Sequence, residues 1–116
     1  FSGAHVSTLK EPLRYDVPQE LLDTRGAVST PVARAMAQGA RRITGADLAV
    51  SVTGVAGPDR DDRGNEVGTV FVGLCTPEGT TVQALDLGRG RERIRTMAAH
   101  YTLDMIRRYL AGLQSN

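Results

Sequence analysis

VSVTGVAGPDRDDRGNEVGTVFVG, residues 50–73, determines the fold class of this chain. Two apolar runs flank a loop that holds glycines, one proline and a series of charged side chains. Short apolar runs bounded by turn residues are typical of strands that are buried on both faces of a sheet. The stretch therefore predicts two buried strands joined by a loop whose charged part, after Pro58, faces the solvent.

A helix is predicted immediately upstream, over residues 29–45. Ser29 and Thr30 are the N-cap candidates, a proline occupies the first turn, and Gly45 can end the helix. Apolar side chains recur every four residues and predict one narrow buried face. These residues are Val32, Met36 and Ala40.

The outer parts of the chain complete the pattern. Residues 1–10 predict a short strand, and a helical turn is expected after Pro18. Residues 77–80, PEGT, predict a tight turn into a third strand over residues 81–87, which we expect to pair antiparallel. The longest helix is predicted from Glu92 to Leu113, on a spacing of 3.6 residues. The order of helices and strands along the chain indicates an α/β fold. The length of the chain predicts a single domain over residues 1–116.

Composition excludes several classes of function. Fourteen basic and 13 acidic residues give a formal charge of +1, which does not predict nucleic-acid binding. No apolar run approaches the roughly 20 residues that span a membrane. Cys75 is the single cysteine, so it predicts a small buried side chain rather than a disulfide or a cysteine-based metal site. We expect a cytoplasmic protein.

The loop TGVAGP, residues 53–58, is the first candidate site. Glycines after a strand expose backbone N–H groups that suit a phosphate or a carboxylate, and ligands of α/β folds bind beyond the ends of strands. An ordinary connecting loop is an equally good interpretation. Calcium is not expected further along the loop. A calcium loop beginning at Asp59 would continue through Asp61, but Arg63 and Val70 occupy its fifth and twelfth positions.

GRGRERIR, residues 88–95, is the second candidate site. Cations near a helix N-terminus are unfavourable by a few tenths of a kcal/mol each. An anion held by Arg91 or Arg95 would reverse the sign of that effect. The alternative is a solvated helix start.

Nucleophilic catalysis has little support from the residues alone. His5 and His100 are far apart, and no Ser/His/Asp triad can be argued. Ser7 lies three residues before Lys10, the only lysine of the chain, and a serine and a lysine in contact can form a nucleophile and its base.

Together these motifs resemble the CinA C-terminal domain, the family of nicotinamide-nucleotide amidases. The resemblance is carried by GAVS (26–29), the helix VARAMAQGAR, VSVTGVAGP (50–58), VGTVFVG (67–73) and RERIR (91–95). It implies a three-layer α/β/α fold with a central mixed sheet. It also implies metal-free, cofactor-free hydrolysis of nicotinamide mononucleotide to nicotinate mononucleotide and ammonia.

The resemblance assigns roles to individual residues. Lys10 matches the lysine that serves as base to the family's serine nucleophile. The position of a family tyrosine falls on His5, or on Val6 with a different gap, and neither residue has a phenol. Arg91 matches an arginine that contacts phosphate or substrate. The pocket-lining loop is matched by Thr53, Gly54, Ala56 and Gly57.

The sequence also departs from the family pattern. The segment with the serine nucleophile would precede Phe1, so the chain is expected to be N-terminally incomplete. Asn65 and Glu66 replace a Lys-Pro pair, and Arg89 replaces a glycine. Three hypotheses follow: part of an amidase whose serine lies upstream, a non-catalytic domain that binds a nucleotide or a partner protein, or a purely structural domain of a larger two-domain protein. An incomplete sheet would expose an edge and favour self-association.

Overall fold

A computed structural model describes residues 4–8, 17–61 and 63–114 of the 116-residue chain. The predicted helices and strands are present there, and the boundaries of the two long helices and of the strand after the PEGT turn differ from the prediction by one or two residues. In chain order they are β1 (Ala4–Thr8), α1 (Gln19–Arg25), α2 (Thr30–Thr44), β2 (Leu48–Gly54), β3 (Thr69–Thr76), β4 (Gly79–Asp86) and α3 (Arg91–Gln114).

The four strands form one mixed sheet in the order β1-β2-β3-β4. β1 pairs parallel to β2, with Val6 beside Val50. β2 and β3 pair antiparallel, and so do β3 and β4. The mixed sheet and the antiparallel third strand of the sequence prediction are therefore confirmed. Because β1 and β2 are parallel, their C-terminal ends reach the same edge of the sheet.

Helices cover both faces of the sheet, which confirms the α/β/α expectation. Successive strand residues point to opposite faces, and β2 shows both environments. Val50 packs in a cluster with Val72 of β3 and Ile94 of α3. The hydroxyl of Ser51, its neighbour in β2, donates to the carbonyl oxygen of Ala33 in α2 (2.6 Å). The sheet therefore lies between α3 on one face and α2 on the other.

α2 approaches the sheet closely at Gly73. A Cβ atom at this position would lie 2.9 Å from the Ala33 carbonyl oxygen and 2.7 Å from Ser51 Oγ. Real Cβ atoms do not make contacts this short without a shift of their neighbours. The predicted buried face of α2 is confirmed, because Val32 and Met36 have no exposed surface. Burial of side chains of this size stabilises the fold by about 1.5–3 kcal/mol each.

The ends of α2 follow the predicted capping pattern. The Ser29 hydroxyl accepts a hydrogen bond from the Val32 amide (3.4 Å) and donates to the Gly26 carbonyl oxygen (2.8 Å). Gly45 adopts a left-handed conformation, with φ of 72°, and its amide donates to the Arg41 carbonyl oxygen. Ser29, rather than Thr30, is thus the N-cap residue.

α3 spans the opposite face and is fixed at both ends. Ile94 and Ala98 belong to the buried cluster, and Met97, Tyr101, Met105 and Tyr109, which follow the same 3.6-residue spacing, pack against it. Near its C-terminal end, the Tyr109 hydroxyl donates to the carboxylate of Glu78 in the β3–β4 turn. This hydrogen bond holds the pKa of Glu78 below its ordinary value.

Two further expectations concern Cys75 and membranes. Cys75 is a buried free thiol, as predicted. Within residues 4–8, 17–61 and 63–114, no helix is both long enough and apolar enough to cross a membrane.

Candidate functional site

The loop after β2 is held against the start of β3 by backbone hydrogen bonds. The Val55 amide donates to the Thr69 carbonyl oxygen (2.9 Å), and the Gly68 amide donates to the Val55 carbonyl oxygen (2.8 Å). The loop then turns through Gly57, with φ of 93°, and a cis Gly57–Pro58 peptide bond. Val55 is therefore held at the start of β3 although it lies beyond the end of β2.

A second backbone segment, residues 87–90, crosses this loop at Gly68. The Leu87 amide donates to the Gly68 carbonyl oxygen (2.9 Å). A Cβ atom at Gly68 would lie 2.1 Å from the Gly88 carbonyl oxygen, and φ of 95° is itself unfavourable for other residues. The crossing therefore requires glycine at position 68, and it brings the N-terminus of α3 beside the loop.

Arg91, the first residue of α3, connects the two segments. Its Nη2 donates to the Gly57 carbonyl oxygen (3.0 Å), so part of its guanidinium fixes the loop. A cavity of about 320 Å³ lies between loop and helix. Its walls are Ala56, Gly57, Pro58, Val67, Arg89, Gly90 and Arg91.

The cavity is electropositive. Among the described residues, Arg89 and Arg91 are the charged members of its wall, and no carboxylate lines it. Arg89 makes no hydrogen bond or ion pair within the part of the chain that the structure describes. Glu92 follows in the same turn of α3 but does not line the cavity. Two guanidinium groups at a helix N-terminus favour an anion, and their planar forks suit phosphate or carboxylate oxygens.

A neighbouring cavity of about 310 Å³ lies on the other side of Pro58. It shares Arg89 with the first cavity and also contains Asp59, Arg60 and Glu66. Arg60 and Glu66 form an exposed ion pair (3.0 Å). With two acids and two arginines, this second cavity has no excess charge and does not favour an anion.

The structure brings together some of the predicted pocket residues and separates another. Ala56, Gly57 and Arg91 line the same cavity. Gly54 lines a neighbouring apolar groove, which also includes Ala56. Thr53 lies elsewhere: it has no exposed surface, and its hydroxyl donates to the Ala27 carbonyl oxygen (2.7 Å), on the α2 side of the sheet. Its assignment as a substrate contact remains a prediction.

The two candidate catalytic residues are in or near β1. His5 is in β1, where it pairs with Ala49 of β2. Lys10 and residues 9–16 as a whole lie outside the described part of the chain. The catalytic assignments of Lys10 and His5 therefore stay predictions.

The charged end of the loop is only partly solvent-facing. Arg63 donates to the carbonyl oxygens of Asp23 and Thr24 (3.3 Å to Thr24), so a cation caps the C-terminus of α1. Asp61 accepts hydrogen bonds from the Asn65 side chain (2.7 Å) and from backbone amides of Arg63 and Asn65. Burial acts to raise the pKa of Asp61, but these hydrogen bonds outweigh it and lower the pKa.

Asp61 therefore organises a turn, and its oxygens are already occupied by donors. Within the described residues, no group of three or more His, Cys, Asp or Glu side chains could hold a metal ion. Asp62, another acid of this loop, lies outside that part.

Sequence reasoning missed one wall of the cavity. Val67 lies outside both candidate stretches, and it meets Arg91 only because the segments cross at Gly68. Arg89 lies within the second stretch, residues 88–95, but the anion contact was assigned to Arg91 or Arg95. Its position within a run of arginines before a helix was the available signal.

Comparison with known proteins identifies the family. The family model of the CinA C-terminal domain matches residues 7–110. The chain is 47% identical over 95 residues to a CinA-like protein of Desulfotalea psychrophila, covering 82% of this chain and 23% of that protein. A CinA-like protein of Geotalea uraniireducens is 44% identical over 100 residues, covering 86% and 24%. The chain thus spans about a quarter of the length of these relatives.

Solved structures of CinA-family proteins support the same family assignment. The competence damage-inducible protein A of Klebsiella pneumoniae superimposes with a TM-score of 0.80 at 29% identity, covering 84% of this chain and 60% of that one. The competence/damage inducible protein CihA of Agrobacterium tumefaciens gives 0.75 at 35% identity, covering 79% and 57%. The chain belongs to the CinA C-terminal domain family.

Proposed function

We propose that this CinA C-terminal domain is the nucleotide-binding part of a nicotinamide-nucleotide amidase. The reaction hydrolyses the carboxamide of nicotinamide mononucleotide: water adds at the carbonyl carbon, the C–N bond breaks, and ammonia leaves with nicotinate mononucleotide as the other product. The proposal combines the family resemblance with the cavity at the N-terminus of α3.

The electropositive cavity is the observation that carries the proposal. A mononucleotide carries a phosphate monoester, and the cavity offers two guanidinium groups, with no carboxylate in the part of its wall that the structure describes. Arg89 has donors to spare, because it has no partner in the described residues. Arg91 is held in place by Gly57, so less entropy is lost when it binds an anion.

The family resemblance assigns the chemical step to Lys10 and to a serine upstream of Phe1. The serine oxygen attacks the carboxamide carbon, and the neutral amine of the lysine accepts its proton and passes it to the departing ammonia. Water then hydrolyses the acyl-serine. Lys10 follows β1 by two residues in the sequence, and β1 ends at the same edge of the sheet as β2. We therefore expect Lys10 to act beside the loop that follows Gly54.

The test measures binding and turnover separately. Binding of nicotinamide mononucleotide to this chain is measured by calorimetry. Ammonia release is measured for this chain and for a form extended upstream in the same reading frame. Arg91→Gln removes the cavity arginine. Arg34→Gln is the control, because it removes the same charge from an exposed position of α2 that does not line the cavity.

We expect Arg91→Gln to weaken binding by about tenfold or more, because a charge-assisted hydrogen bond contributes about 1.5–3 kcal/mol. Arg34→Gln should change it less than threefold, roughly the effect of one screened surface charge. Turnover only in the extended form would support an upstream serine. Binding without turnover in both forms would favour the non-catalytic alternative. Turnover by the 116-residue chain would contradict the upstream serine and direct attention to Ser7. Absence of binding would refute the proposal.

A further inference from the structure

Two cavities meet at a shared wall beside the loop that follows β2. The first is the electropositive cavity, whose other walls come from residues 56–57 and 90–91. The second, of about 310 Å³, continues along residues 59–60 to Glu66. The described residues that line both cavities are Pro58, Val67 and Arg89. A ligand group that extends past this shared wall along the loop therefore enters the second cavity.

The charges of the second cavity are balanced only when Arg89 is counted among them. Arg60 and Glu66 form an ion pair (3.0 Å), so their charges offset each other. In the described part of the wall, Asp59 is the remaining acid and Arg89 is the remaining cation. Neither of these two side chains makes a hydrogen bond or an ion pair within the described residues. The Asp59 carboxylate is thus balanced by a guanidinium that is not bound to it.

A phosphate in the first cavity changes this balance. In the proposed function, Arg89 and Arg91 bind the phosphate of a mononucleotide. Once the Arg89 guanidinium is paired with that phosphate, no free cation in the described wall of the second cavity offsets the Asp59 carboxylate. The second cavity then has an excess of negative charge and repels a further phosphate.

The order of residues along the loop gives the direction in which a second phosphate would extend. Lys10 is expected beside the end of β2, so we expect the carboxamide at the Ala56 side of the first cavity. The phosphate then lies at the opposite side, towards Pro58 and Arg89. A group that is esterified to this phosphate extends past the shared wall, where it meets Asp59.

We propose that Asp59 determines the specificity of the nucleotide site by rejecting ligands in which the phosphate is joined to a second one. Arg89 attracts the first phosphate and Asp59 repels the second, so attraction and repulsion both contribute to the discrimination. The site accordingly favours mononucleotides over dinucleotides. This role of Asp59 rests on the proposed function, because the phosphate must lie between Arg89 and Arg91.

Two nucleotides test the role of Asp59. Nicotinamide mononucleotide carries one phosphate, and in nicotinamide adenine dinucleotide the same mononucleotide is joined through a second phosphate to adenosine. Each is titrated by calorimetry into the 116-residue chain. The quantity compared is the ratio of the two dissociation constants, measured at about 0.1 M and about 1 M salt.

Three variants isolate the effect of the carboxylate. Asp59→Asn removes the charge and keeps the shape of the side chain, and it removes no hydrogen bond of the described fold. Asp59→Glu keeps the charge. Glu20→Gln is the control, because it removes a negative charge from an exposed position of α1 that lines neither cavity.

We expect the parent chain to bind the mononucleotide at least about fivefold more tightly than the dinucleotide. Asp59→Asn should reduce this preference about fivefold, which is the effect of one unit charge about 4 Å from another in water. Asp59→Glu and Glu20→Gln should change it less than about twofold, as a screened surface charge does. High salt should also reduce the preference of the parent, because the Debye length falls from about 10 Å at 0.1 M to about 3 Å at 1 M. Exclusion of the dinucleotide by size alone would not respond to salt.

The possible failures are distinguishable. If the parent binds the mononucleotide but Asp59→Asn keeps the same preference, the role of Asp59 is overturned and the proposed function stands. Equal binding of both nucleotides by the parent has the same consequence. If the parent does not bind the mononucleotide, the proposed function fails, and the role of Asp59 fails with it. If Asp59→Asn does not fold, the salt dependence of the parent decides, and a constant ratio overturns the role of Asp59.

Discussion

The close contact between α2 and the sheet at Gly73 gives a quantitative prediction. In Gly73→Ala, the new Cβ would lie 2.9 Å from the Ala33 carbonyl oxygen, which is backbone and can move only with the helix. α2 would have to shift by a few tenths of an ångström. Over-packing of this kind costs about 1–3 kcal/mol, and restriction of the unfolded chain by alanine returns about 0.4–1 kcal/mol. We expect a net loss of about 1–2 kcal/mol in the free energy of unfolding.

Ser51 provides a second, independent test of the same close contact. Its Oγ would lie 2.7 Å from the same Cβ, and its hydroxyl donates to the same carbonyl oxygen. Ser51→Ala alone should cost about 1 kcal/mol, the typical net contribution of one hydrogen bond. In the double variant with Gly73→Ala, however, the Ser51 hydroxyl is absent, and it was the nearer of the two groups that the new Cβ would contact. The losses in the free energy of unfolding of the two single variants should therefore add up to about 0.5–1 kcal/mol more than the loss measured for the double variant.

Urea denaturation followed by circular dichroism measures all four proteins of this cycle. Gly112→Ala is the control, because nothing lies within 4 Å of a Cβ at that position of α3 and alanine favours a helix by up to about 1 kcal/mol. Additivity within about 0.3 kcal/mol would refute the shared-contact argument. A Gly73→Ala variant as stable as the parent would refute the close approach itself.

Three further predictions concern the loop and the end of α3. Arg63→Ala should lower the protection of α1 amides against hydrogen exchange by about 0.5–1 kcal/mol, since the cation that caps this helix is lost; equal protection in both proteins would contradict it. The pKa of Asp61 is lowered in the folded state, so its contribution to stability is present above the ordinary value of 3.8 and is lost as the pH falls through the lowered value. In Asp61→Ala, less stability should therefore be lost between neutral pH and acid, and an unchanged pH profile in chemical denaturation would count against the argument. Tyr109→Phe should raise the pKa of Glu78 towards its ordinary value of 4.5, which an NMR titration measures; no change would mean that this hydrogen bond is absent in solution.

The sequence alone predicted the helices and the strands, with the ends of the long helices within one residue of those in the structure. The helix ends follow from Ser29 and Gly45, because a side-chain oxygen and a residue that tolerates positive φ act within one turn of the chain. Apolar runs defined β2 and β3, and the periodicity of α3 defined its buried face. These signals are local, so they do not depend on how the elements pack.

The site required the tertiary structure. The sequence grouped Thr53 with Gly54, but neighbours in a strand point to opposite faces, and the packing of α2 decided that Thr53 turns away from the cavity. Arg91 meets Gly57 only because two backbone segments cross at Gly68, 23 residues before Arg91 in the sequence. Contacts between distant segments depend on the order of strands in the sheet and on which helix covers which face. The conformational preferences of individual residues specify neither the strand order nor the placement of the helices. For that reason the sequence alone defined the helices and strands of this protein, while only the folded chain defined its electropositive cavity and its apolar groove.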